Sequence, residues 1–100
     1  MLSIDFNVAY RQAREMADCA DELNHQYKRL ENIISETHIA WQGDVSSAFT
    51  KKLEALGSQI QADAVQCRNE ATEFRAKIDE IKRMEEEAAL ALADVAEGSV

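Results

Sequence analysis

The chain has no proline, so no residue in it obliges a helix to kink or stop. Glycine occurs three times, at Gly43, Gly57 and Gly98, which leaves little turn chemistry. No apolar run approaches the roughly 20 residues that a membrane-spanning helix needs, and direct membrane insertion is not expected. Two cysteines are too few for a disulfide framework. Basic residues are outnumbered, 11 Lys and Arg against 19 Asp and Glu, for a net charge of -8. Nucleic-acid binders replace phosphate counterions with Lys and Arg, so this balance argues against nucleic acid. It makes a poor ligand for anionic membrane surfaces on the same ground. The opening "MLSIDFNVAY" shows no basic region followed by an apolar core. The protein is therefore expected to be made in the cytoplasm without a cleavable signal peptide.

What is abundant is helix-forming. At 100 residues one domain is the default, and Ala, Glu, Leu, Gln, Lys and Arg dominate it. Apolar or small residues recur at Ala9, Ala13, Met16, Ala20, Leu23, Tyr27, Leu30, Ile34 and Trp41, a heptad seam over four heptads. This predicts a first helix over about 5–41, capped by Asp5 or Ser3. A second seam runs through Phe49, Leu53, Leu56, Ile60, Ala64, Cys67, Ala71, Phe74, Ile78 and Ile81, then Ala88, Leu92 and Val95. It predicts a second helix over about 45–96, started by Asp44 or Ser46, with a frayed tail at 97–100. The turn falls at 42–44, where Gly43 accepts a left-handed conformation without steric cost. Gly57 weakens the second helix by about 1 kcal/mol relative to Ala.

The fold expected is all-α, an antiparallel helix-turn-helix hairpin forming one domain over 1–97. Two helices alone leave much of each apolar stripe in water. A second hairpin, from another copy or a similar small helical protein, would cover it in a four-helix bundle. The seams assign that pairing to Leu23, Tyr27, Leu30, Ile34, Leu53, Leu56, Ile60, Phe74, Ile78 and Ile81.

Catalytic and metal chemistry find little to build on. Glu22-x-x-His25 has the spacing of di-iron bundle ligands, but both residues fall on the face opposite the seam. His38 has no His or Cys three or four residues away and reads as a polar residue near a helix end. No Gly-rich phosphate loop is present, and a narrow hairpin offers no obvious cleft for a nucleophile. We expect no enzyme, no metal and no cofactor. Cys19 and Cys67 fall at the same level of the hairpin. A bridge between them is sterically conceivable, with two packed or partly exposed thiols as the favoured reading.

The remaining signal is Trp41-Gln42-Gly43, which holds the only Trp, near the middle of the chain. A helical seam lies on each side, and "SSAF" follows, with Ala48 and Phe49 as a small-aromatic pair and Leu53 and Leu56 beyond. In that setting the chain resembles, over almost its whole length, the WXG-100 (early-secreted-antigen-like) family of bacterial type VII secretion systems. The resemblance implies a hairpin that pairs into a four-helix bundle and is exported by a membrane-bound secretion ATPase. Alternatively it escorts a larger cargo, such as a toxin with an LXG-type helical N-terminal domain. It also implies that Trp41, Gly43 and Phe49 form a recognition surface for a partner or the export machinery. The plainer reading has Trp41 cover the ends of the seams. One feature departs from the family. Exported members carry Tyr-x-x-x-Asp/Glu after the second helix, and this chain has no Tyr beyond Tyr27. That implies an export signal on a partner, or a divergent one from Met84 onward. A cytoplasmic coiled-coil adaptor that is never exported shares the fold and is the alternative.

Overall fold

The computed structural model describes residues 4–41 and 43–98, except the side chains of 44–46. Two helices account for nearly all of it: α1, Phe6–Ala40, of 35 residues, and α2, Asp44–Gly98, of 55 residues. They pack as a hairpin measuring 87 × 16 × 16 Å.

The start of α1 is set by Asp5, whose side chain accepts a hydrogen bond from the Val8 amide at 3.2 Å. That satisfies one of the amides left unpaired at a helix N-terminus. The other expected cap, Ser3, lies outside the described residues. α1 stops when Trp41 turns extended, at φ -117° and ψ 133°, its own amide still donating to the Thr37 carbonyl. Gly43 follows at φ +109°, a conformation L side chains rarely adopt, and the Ser47 amide donates to its carbonyl at the first turn of α2. Gln42 and the capping side chains expected at Asp44 and Ser46 are outside the described residues. α1 therefore ends one residue short of the expected 41, and α2 begins one residue early. The far end of α2 differs more. Glu97 and Gly98 are helical, where fraying was expected, because no proline or left-handed residue interrupts the chain before them.

Register follows from side chains that reach across the hairpin. Tyr10 bonds Asp79, Asp21 pairs with Arg68, and Tyr27 and Leu30 lie over Gly57. The interhelical core is thin. Its buried apolar residues, among those described, are Ala13, Ala20, Ala64, Ala71 and Ile78, and no large side chain is fully enclosed. Alanines let the helix axes approach closely but remove little surface from water, at about 25 cal/mol per Å². Met16, Leu23, Tyr27, Leu30, Ile34, Leu53 and Ile60 are only half-buried. No helix among the described residues is long and apolar enough to cross a membrane.

The first seam holds its phase, with Thr37 half-buried where the spacing leaves a gap between Ile34 and Trp41. The second is shifted at its start. Thr50 and Gly57 face α1, while Phe49 and Leu56, expected there, are exposed. From Ile60 to Ile78 the expected and observed faces coincide except at Phe74, which is exposed.

Candidate functional site

The hairpin tip brings Trp41, Gly43 and Phe49 together, with Phe49 on the tip and not on the α1-facing seam where its spacing put it. Trp41 is held by the last backbone bond of α1 and projects from the extended residue that ends it. Phe49 comes from the second turn of α2. Their rings stack at a centroid distance of 5.7 Å with planes inclined by 23°. An offset pair of this kind contributes roughly 0.5–1.5 kcal/mol beyond its buried area. Yet Trp41 remains 53% and Phe49 44% exposed. One side of the indole therefore covers Phe49, and much of the rest faces solvent. Gly43 brings the helices round within reach, and a Cβ there would meet nothing within 4 Å. Glycine is needed at that position for its backbone angle and not for space.

Next along α2, Thr50 is 2% exposed, and its hydroxyl has no hydrogen-bond partner among the described residues. Other helical threonines solve this problem locally. Thr37 donates to the Ile33 carbonyl at 2.8 Å and Thr72 to that of Arg68 at 3.0 Å. A buried hydroxyl without a partner costs about 1–3 kcal/mol, so Thr50 is a weak point beside the tip. Sequence periodicity passed over it because it is polar.

Below the tip a shallow groove runs between the helices, lined by Tyr27, Leu30, Ile34, His38, Glu54 and Gly57. Gly57 makes it possible. A Cβ there would sit 3.5 Å from both Leu30 and Tyr27, so these two side chains rest directly on the α2 backbone.

The expected pairing residues divide by exposure. Leu23, Tyr27, Leu30, Ile34, Leu53 and Ile60 are half-buried, whereas Phe74, Ile81 and Leu56 are exposed. Ile78 is buried within the hairpin and has little left to offer a partner. Ile33 and Val65, on neither expected seam, are at least half exposed as well.

The polar candidates are dispersed. Glu22 and His25 are exposed, and Glu22 accepts a bond from Gln26 at 3.0 Å. No group of three or more potential metal ligands occurs among the described residues. Both cysteines are free thiols, Cys19 exposed and Cys67 half-buried. One cluster has no counterpart in the sequence reading. The Tyr10 hydroxyl donates to Asp79 at 2.5 Å, with Arg75 and Lys82 over its ring at 5.5 and 5.8 Å. The bond to Asp79, then desolvation and the carboxylate charge, raise the phenol pKa above its usual 10.0.

Compared with family models, with curated proteins and with solved structures, the chain matches none of them.

Proposed function

We propose that this protein is a WXG-type hairpin of a bacterial type VII secretion system, a small secreted substrate or a targeting partner that acts by pairing helix faces. The observation that carries this reading is the position of Trp41-x-Gly43. Trp41 and Gly43 lie at the tip of a helical hairpin, with the indole half exposed against Phe49. The thin alanine core and the incompletely buried Leu23, Tyr27, Leu30, Leu53 and Ile60 favour a second hairpin completing a four-helix bundle. On this reading the protein has no catalytic role and no cofactor. Its partners are another copy or a similar hairpin, an LXG-type toxin domain and the secretion ATPase.

The test is appearance in culture supernatant, with and without the secretion ATPase. ATPase-dependent export that is lost in Trp41→Ala, with the variant still helical, supports the reading. Retention in the cell under all conditions favours the cytoplasmic coiled-coil adaptor. Pairing is tested separately by light scattering. Leu30→Asp or Ile60→Asp should abolish the dimer, because a charge buried unpaired costs several kcal/mol. A folded monomer for the unmodified chain would remove the four-helix bundle from the proposal.

A further inference from the structure

The two helices differ in length by more than five turns, 35 residues against 55. They meet at the tip, so all the excess lies at the other end. Tyr10 is level with Asp79 and Asp21 with Arg68, which puts the Asp5 cap of α1 level with residue 84 or so. Beyond that point α2 continues alone to Gly98, for about 22 Å at 1.5 Å per residue.

This overhang continues the amphipathic pattern of the packed part. At 100° per residue, Ile81, Met84, Ala88, Leu92 and Val95 fall within an arc of about 80°. Every residue from Asp79 to Gly98 is exposed, with Met84 at 56%, Leu92 at 70% and Val95 at 69%. Leu90 projects from the opposite side. The stripe therefore has the form of a helix-pairing seam at a level where the hairpin supplies no second helix.

Charge selects what fits it. Residues 84–100 hold five acidic residues and no basic one, against -8 for the whole chain. On the helical wheel Glu85 lies about 20° outside the stripe on one side, and on the other Glu87 and Asp94 lie about 60° and 80° outside it. Glu87 is partly balanced by Arg83 at 3.3 Å, whereas Glu85, Asp94 and Glu97 have no ion-pair partner among the described residues. Two overhangs laid together would oppose like charges along their whole length, which disfavours a second copy. A helix whose apolar stripe is flanked by Lys or Arg would satisfy both the seam and its borders. We propose that the overhang of α2 is a docking platform for a basic amphipathic helix of a different protein. The inference stands apart from export and from pairing of the hairpin faces.

The experiment is titration of the full chain with three synthetic 18-residue helical peptides. The first has a Leu stripe flanked by Lys and Arg, the second the same composition scrambled to break the stripe, and the third the same stripe flanked by Glu. The striped basic peptide should bind one to one, at least tenfold tighter than either control. Binding should weaken as salt rises. Leu92→Ser/Val95→Ser and Glu85→Gln/Glu87→Gln/Asp94→Asn should each weaken it tenfold or more while leaving the circular dichroism melt of the hairpin unchanged. Equal binding of the scrambled peptide, or undiminished binding by both variants, overturns the proposal. So does self-association that Leu92→Ser/Val95→Ser abolishes, which would assign the face to a second copy. Loss of hairpin pairing is detected in the Leu30→Asp variant by light scattering, so the two proposals fail independently.

Discussion

The Trp41 ring lies on Phe49 at 5.7 Å, joining the extended residue that ends one helix to the second turn of the next. The contact spans the turn itself and ties the tip together. Trp41→Ala and Phe49→Ala should be non-additive, with a coupling energy of about 0.5–1.5 kcal/mol in a double-mutant cycle. Denaturant unfolding of the four proteins measures it. A coupling near zero would mean that the two rings are independent surface groups.

Gly57 illustrates how far the fold was legible and where it was not. The two helices, the turn at Gly43 and the Asp5 cap could all be read from spacing and residue type, because local chemistry fixes them. The face of α2 nearest the tip could not. Apolar periodicity selects Phe49 and Leu56, but α1 rests on Thr50 and Gly57, one polar and one without a side chain. Neither contributes to a hydrophobic pattern. The Tyr10 cluster was hidden for a different reason, since it depends on register across the hairpin. In the candidate site, the adjacency of Trp41 and Gly43 at the turn was readable, but Phe49 was read as a seam residue and its stacking on Trp41 needed coordinates.

Replacing Gly57 should test this packing directly. A Cβ would meet Leu30 and Tyr27 at 3.5 Å, an ordinary contact distance. Gly57→Ala should therefore gain up to about 1 kcal/mol from helix propensity and raise the Tm by several degrees. Gly57→Leu should lose roughly 1–3 kcal/mol by forcing Tyr27 and Leu30 away. Thermal melts of both variants check the pair of signs.

The unpartnered Thr50 hydroxyl makes a prediction of opposite outcome for the isolated hairpin and an assembly. Thr50→Val keeps the shape and removes the unsatisfied group, so it should be neutral or stabilising by about 1 kcal/mol. If the variant instead loses stability together with dimerisation, the hydroxyl is bonded to a partner chain. Unfolding and light scattering on the same samples distinguish these results.

Tyr10 gives a pH dependence. Its phenol pKa is raised in the folded chain by the hydrogen bond to Asp79, so the neutral form is favoured by folding. That stabilisation is fully present below the ordinary tyrosine pKa, about 10, and is lost as pH rises through the raised folded value. Tyr10→Phe should accordingly be less stable than the unmodified protein at pH 7. The difference should shrink at alkaline pH, once the tyrosine has ionised beside Asp79. Denaturant unfolding at pH 7, 9 and 11 follows the gap, and a gap independent of pH would mean that the stabilisation does not come from the neutral phenol's bond to Asp79.

The overhang predicts a gradient of stability along α2. Its seam residues have no second helix to cover them, and an isolated helix of about 15 residues is marginal in water even with favourable residues. Backbone amides between 85 and 98 should exchange with solvent far faster than those around Ala64 and Ala71, which the hairpin buries. A stop codon after Arg83 should accordingly leave the hairpin's melting temperature within about 2 °C of the full chain, since surface changes away from packed contacts stay within about 0.5 kcal/mol. Exchange monitored by mass spectrometry, with the melt of the truncated chain, checks both. Addition of the striped basic peptide should slow exchange over 85–98 and leave the rates near Ala64 unchanged. Slow exchange of the overhang in the free monomer would show that something within the chain already covers it.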